Sequence, residues 1–278
     1  MFVTFHGVRG STPCHGDDIA RYGGNTSCVS VSAPGERPLL FDMGTGLRYF
    51  GLAQPAEEPF RGTCLVSHLH WDHVQGLPFF TPLQDDQSEL VVYAPAQDNG
   101  RCAAEVLHDT ICPPMFPIGL DGFPGTIDIR EAPDRFAVGG YTVESAPVPH
   151  VGETVGYRVT HHGASVAYVS DHQQPAGGLL IDEKVWGLCQ GVDLLIHDAQ
   201  YTPAEFKRKR DWGHCTVEYA VFLASEVGAK RLALYHHDPT HDDEMIDCLT
   251  ASAARCGSEL GVEVFAAREG LTIDVSRG

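Results

Sequence analysis

His68-Leu69-His70-Trp71-Asp72-His73 follows directly on the apolar run Thr63-Cys64-Leu65-Val66-Ser67. The run reads as a buried strand, so the hexapeptide begins at a strand end. In an extended segment side chains alternate, and His68 and His70 therefore project to one side while the following turn swings Asp72 and His73 toward a neighbouring point. One short peptide can thus serve two metal ions. Imidazole is the commonest metal ligand, and in a chain with fifteen histidines the pattern H-x-H-x-D-H arises by chance about 0.003 times. A solvated histidine loop is the poorer account.

Four candidate ligands are too few for two well-held ions that also keep water, so isolated His and Asp residues at other strand ends become candidates. Three fit: His150 after Ala146-Pro-Val-Pro149, Asp171 after Ala164-Ser-Val-Ala-Tyr-Val-Ser170, and His236 after Arg231-Leu-Ala-Leu-Tyr235. Strand ends are where open α/β structures build sites. His237 competes with His236 for the last place. Imidazole and carboxylate without thiolate suit zinc, and also manganese or iron.

Outward from this segment, strands are expected at Phe2–His6, Cys28–Ser32, Leu39–Asp42, Thr63–Ser67 and Leu90–Ala94, and paired strands at Thr126–Arg130, Tyr141–Val148, Thr154–Thr160 and Ala164–Ser170. Later strands fall at Asp193–Ile196 and Arg231–Tyr235. Helices are expected at Gly44–Ala53, Gln97–Thr110, Asp182–Gln190, Thr216–Val227 and Asp242–Arg255, while the proline- and glycine-rich Cys112–Gly125 reads as a loop or lid. Strand runs with interposed helices in both halves suggest two sheets between helical layers. No repeat or linker marks a boundary, so residues 1–278 are expected to form a single domain.

Composition narrows the function classes. The chain has 278 residues, 43% hydrophobic and 20% charged, which excludes a disordered or fibrous protein. No apolar stretch approaches a membrane span, and Met1–Gly7 lacks the features of a signal peptide, so a cytoplasmic protein with no membrane partner is expected. The net charge of −18 repels long nucleic acids, although cations in a site can reverse the local sign for a small anion. Nine cysteines, an odd number without a C-x-x-C pair, argue against a disulfide framework or zinc ribbon. Self-association into a homodimer stays open.

His68-x-His70-x-Asp72-His73, followed by Gly76, resembles the hallmark of the metallo-β-lactamase superfamily. Gly24-Asn-Thr-Ser-Cys28, Phe41-Asp-Met-Gly-Thr-Gly46, Ile196-His-Asp-Ala199, Gly213-His-Cys-Thr216 and Leu234-Tyr-His-His-Asp-Pro239 look like blocks of its phosphodiesterase branch, which includes ribonuclease Z and cyclic phosphodiesterases. The resemblance implies a four-layer αββα sandwich with mixed sheets. It also implies two divalent ions, one held by His68, His70 and His150, the other by Asp72, His73 and His236, with Asp171 between them. His214 stands where the branch places a proton donor, and Asp198 would orient it, although the branch often carries Glu there.

Two cations roughly 3.5–4 Å apart acidify a shared water and clamp the oxygens of an in-line displacement, and Asp72 can double as ligand and proton acceptor. The expected activity is hydrolysis of a small phosphodiester such as a cyclic nucleotide; a lactonase or thioesterase of the same fold is the alternative. Arg9 reads as a surface arginine and Asn25 as a turn former. His6, His15, His108, His161, His162, His172 and His241 read as solvated or structural, and Phe79, Phe80 and Phe116 as core residues sooner than the wall of a base-sized pocket. Lys207-Arg-Lys-Arg210 is a solvated helix face or a phosphate-steering patch.

Overall fold

The computed structural model describes residues 1–97 and 100–275. Six strands come first: β1 (Phe2–Gly7), β2 (Cys28–Ser32), β3 (Leu39–Phe41), β4 (Arg61–Leu65), β5 (Glu89–Ala94) and β6 (Thr126–Glu131). Seven more follow: β7 (Arg135–Val138), β8 (Tyr141–Pro147), β9 (Val155–His161), β10 (Ala164–Val169), β11 (Leu194–Asp198), β12 (Arg231–Tyr235) and β13 (Glu263–Ala266); β14 (Thr272–Asp274) then returns to β1. They form two seven-stranded sheets, ordered β14-β1-β2-β3-β4-β5-β6 and β13-β12-β11-β10-β9-β8-β7. Both are mixed. Neighbours from β3 to β6 run parallel, as do those from β10 to β13, and the remaining pairs are antiparallel.

The helices are α1 (Gly46–Leu52), α2 (Trp71–Val74), α3 (Ala103–Thr110), α4 (Glu183–Cys189), α5 (Pro203–Lys209), α6 (Val217–Glu226) and α7 (Asp243–Glu259). Strand alternation decides the layers. Leu39 and Phe41 of β3, Val166 and Tyr168 of β10, and Ala233 and Tyr235 of β12 meet in one core between the sheets. The residues between them point outward: Leu40 packs with Leu47, Phe50 and Leu107 of α1 and α3, while Ala167 and Leu234 pack with Val185, Leu223 and Ala253 of α4, α6 and α7. Buried on both faces, such strands read as unbroken apolar runs. The result is the four-layer αββα arrangement.

Several boundaries move for identifiable reasons. Asp182, Thr216 and Asp242 cap their helices with side-chain oxygens on backbone N–H groups and so precede the first helical residue. The helix expected from Gln97 starts only at Ala103, and residues 98 and 99 of that expectation lie outside the described residues. The central strand ends at Leu65, so Val66 and Ser67 already belong to the site loop. Thr126–Glu131 does not pair with the strand that follows it; it joins β5 in the first sheet, and the unexpected β7 takes the place beside β8. Strands β13 and β14, also unexpected, have 4 and 3 residues, too short for a clear alternation. No helix among the described residues is long and apolar enough to cross a membrane.

Candidate metal centre

The parallel pairings bring one set of strand ends to a single rim. β8 and β10 are both antiparallel to β9 and therefore run the same way, and β10, β11 and β12 are parallel. His150 follows β8, Asp171 follows β10, Asp198 closes β11 and His236 follows β12. Facing them, the loop after β4 carries His68 and His70, and the short α2 carries Asp72 and His73. Every metal ligand expected from the sequence arrives at this rim.

Four overlapping triads have ligand atoms within 4.8 Å of one another: His68, His70 and His150; His68, His73 and Asp171; Asp72, His73 and His236; Asp171, His214 and His236. His236 Nε2 stands 3.1 Å from Asp72 Oδ2 and 3.4 Å from Asp171 Oδ1. His237 turns the other way and donates from Nε2 to the Ala267 carbonyl at 2.9 Å, which resolves that competition in favour of His236. The selection is made by the backbone, because His236 adopts a left-handed φ of 58°, a strained conformation for a residue other than glycine.

The outer nitrogens fix how the rings face. His73 Nδ1 donates to Asp42 Oδ2 at 2.7 Å, His150 Nδ1 to the Gly213 carbonyl at 2.7 Å, and His236 Nδ1 to Gln200 Oε1 at 2.9 Å. An oxygen that only accepts requires the proton on Nδ1, which leaves Nε2 facing inward as a ligand. Gly213 has φ 93°, and a Cβ there would lie 2.3 Å from the His150 ring. Ser67 Oγ bridges His68 Nδ1 at 3.0 Å and Asp42 Oδ2 at 2.9 Å. Asp42 also accepts from Tyr168 at 2.7 Å and is fully buried.

Three of the inner atoms are unpaired. His68 Nε2, His73 Nε2 and Asp171 Oδ1 are buried without a hydrogen-bond partner, although His73 Nε2 and Asp171 Oδ1 lie 3.1 Å apart. Buried polar atoms are normally satisfied, so converging orphans on a donor set of imidazole and carboxylate fit metal ions. Burial pushes His68, His70 and His150 down. Burial would also lower His73, but Asp72, Asp171 and Asp42 around it prevail and hold it well above the usual imidazole range. Burial raises Asp171 and Asp72, yet the neighbouring imidazoles outweigh it and hold both carboxyls well below the usual range. The pocket is built for positive charge.

His214 is brought to the same place. Its Nδ1 donates to Asp198 Oδ2 at 2.8 Å, and its ring stacks on His236 with centroids 5.0 Å apart. Asp198 further accepts from the backbone N–H groups of His172 and Gln200, so the carboxylate is fixed before it orients the ring. Burial lowers His214, but Asp198, Asp171 and Asp72 together outweigh it and hold the imidazole above its usual range. A cleft of about 470 Å³ opens over the centre, lined among others by Trp71, Tyr201, Lys209, Trp212 and His214. Of the basic run only Lys209 turns into this cleft, 3.0 Å from Asp238 and over the Tyr201 ring; Lys207, Arg208 and Arg210 are exposed.

Two expectations are corrected. Arg9 is fully buried, not a surface residue: its guanidinium donates to the carbonyls of Gly23, Asp238 and His241 and ties three loops together, carbonyls taking the place of water. Phe80 is a core residue, but Phe79 is 54% exposed, because the loop after α2 turns consecutive rings to opposite sides. Asn25 binds Glu269 through its backbone and side chain, as a turn residue should. Asp42, Ser67, Gln200 and Trp71 were not singled out from sequence. Asp42 ends an apolar strand inside the quoted Phe41–Gly46 block, and Gln200 directly follows Ile196–Ala199, so position alone offered a signal for both.

The family model of the beta-lactamase superfamily domain matches residues 37–237. The ribonuclease Z of Natronomonas pharaonis is 24% identical over 98% of this chain and 97% of its own length. Among solved structures, the metallo-beta-lactamase fold protein YhfI of Bacillus subtilis is similar with a TM-score of 0.73 and 20% identity, covering 98% of each chain. A diphosphatase of the PhnP family is similar with a TM-score of 0.71 and 18% identity over 99% of this chain and 98% of that one. The chain belongs to the beta-lactamase superfamily.

Proposed function

We propose that this superfamily member hydrolyses a small phosphodiester, with cyclic nucleotides as the first class to test. The observation that carries the reading is the His214–Asp198 pair at 2.8 Å, poised beside the ligand cluster; a diester's leaving alkoxide needs such a proton donor. Relatives named ribonuclease Z and a structural neighbour of the PhnP family act on phosphorus and support the same chemistry.

His68, His70 and His150 would hold one divalent ion and Asp72, His73 and His236 a second, with Asp171 serving both; zinc suits the set, and manganese or iron also fit it. Bound there, the ions supply Lewis acidity toward phosphoryl oxygens and acidify a water near neutral pH. Asp72 Oδ2 accepts from the Ser11 N–H at 2.8 Å, which holds a carboxylate that would take the proton of the attacking water. Doubly protonated His214, with Nδ1 anchored on Asp198, delivers its Nε2 proton to the leaving oxygen. Lys209 places a cation at the mouth for the substrate's negative charge, and the net charge of −18 turns away long nucleic acids.

The test is turnover of bis(p-nitrophenyl) phosphate and of a panel of 3′,5′-cyclic, 2′,3′-cyclic and linear nucleotide diesters by protein loaded in turn with zinc, manganese and iron. Hydrolysis of at least one diester is expected. Failure on the whole panel, with lactones or thioesters cleaved instead, would overturn the reading.

A further inference from the structure

Trp71 belongs to two clefts at once. On one side it lines the polar cleft over the metal centre; on the other it walls a second cleft of about 450 Å³ with Pro78, Phe79, Ile111, Met115 and Phe116. Trp71 is 51%, Phe79 54% and Met115 82% exposed, so large apolar side chains face water around one concavity. Such a patch marks a binding site when it adjoins a functional one. Its aromatic wall is preorganised: Phe116 meets Phe79 edge-on at 5.8 Å and stacks on the buried Phe123.

The lining also says what the occupant carries. Among the described residues no Lys or Arg lines this cleft, whereas Asp109 does, so a second anionic group is unwelcome there. The polar side chains at the rim already have partners: Thr110 Oγ1 donates to the Val106 carbonyl, Gln75 Nε2 to Thr26 Oγ1, and Asp109 pairs with Arg101. What remains is an uncharged, largely apolar slot between rings, contiguous through one indole with the place where the phosphate must sit.

We propose that this second cleft receives an uncharged aromatic ring carried by the substrate, which makes the substrate class an aromatic-bearing phosphodiester. The inference rests on the phosphodiesterase reading for the identity of the polar end. Phe79 and Met115 are specificity-determining residues, and Trp71 couples the slot to the reacting end. Both Phe79 and Met115 are exposed enough to be replaced without opening the core.

Calorimetric titration of the metal-loaded protein with diphenyl phosphate and with dimethyl phosphate tests it. One buried ring between aromatic walls should give a preference for diphenyl phosphate of at least about tenfold. Phe79→Ala should bring the preference close to parity without changing dimethyl phosphate binding, and Phe79→Tyr should keep it. Parity in the wild-type protein, a preference that survives Phe79→Ala combined with Met115→Ala, or a dimer in gel filtration that Phe79→Ala dissolves would each overturn the proposal. If the preference holds while no diester of the panel is hydrolysed, the phosphodiesterase reading falls and the aromatic slot stands.

Discussion

The two sheets contribute to the metal centre in different ways. From the first sheet come His68, His70, Asp72 and His73, four candidate ligands within six residues after one strand. The second supplies His150, Asp171 and His236 singly, each at the end of a different strand and up to 86 residues apart in sequence. The first contribution depends on local geometry alone, whereas the second exists only when β8, β10 and β12 are correctly paired. A contiguous motif survives small errors of register, but dispersed ligands do not. The comparison assigns the grip of the site to the first sheet and its alignment to the second.

The sharpest way to break this division is Asp171→Ala, which removes the carboxylate that approaches His73, His236, His68 and His150 alike. Bis(p-nitrophenyl) phosphate turnover should disappear and the metal content found by elemental analysis should fall, while circular dichroism stays native. His214→Ala, in the loop between α5 and α6 and outside the seven expected ligands, should lower kcat for a diester with a poor alkoxide leaving group by about 10²–10⁴-fold. The nitrophenolate leaving group needs little protonation and should lose much less. Equal losses on both substrates would show that His214 is not the proton donor.

The supporting shells sharpen the comparison further. Gln200→Ala frees only His236 Nδ1 and should weaken metal affinity by about 10–100-fold at an unchanged melting temperature. Asp42→Asn should show a comparable loss of affinity together with a lowered melting temperature, because Asp42 also holds Ser67 and Tyr168 in the core. Equal thermal effects of the two would erase the distinction between the sheets. The smallest effect on activity belongs to His6 of β1, remote from the rim. Burial pushes it down to about 4 from 6.5, so the unfolded chain takes up this proton first, and stability contributed above about pH 6.5 is lost as pH falls toward 4, on the order of 3 kcal/mol. His6→Gln should flatten that part of the urea-midpoint profile between pH 7 and 4.5 relative to wild type, without changing turnover at pH 7.5.

Much of this site was legible because its ligands close apolar runs. Ala164–Ser170 before Asp171 and Arg231–Tyr235 before His236 announced their strand ends, and strand runs with interposed helices suggested two sheets between helical layers, the αββα sandwich being what the family resemblance implied. The choice of His236 over His237 depends on a left-handed backbone turn that neighbouring residue types do not encode. Arg9 was misread because its partners are main-chain carbonyls, which leave no pattern of charges to detect. Strands β7, β13 and β14 escaped notice because pairing at a sheet edge, more than their own composition, makes them strands. Trp71 was hidden inside the motif that drew attention to its neighbours.

In three of the four triads, side chains from one β-layer face side chains from the other. Cations seated there would rivet the sandwich along its open seam. Chelation should therefore loosen the joint between the layers before either layer frays, and the protein's heat tolerance should track free ion concentration in the way expected of any ligand bound only by the native state.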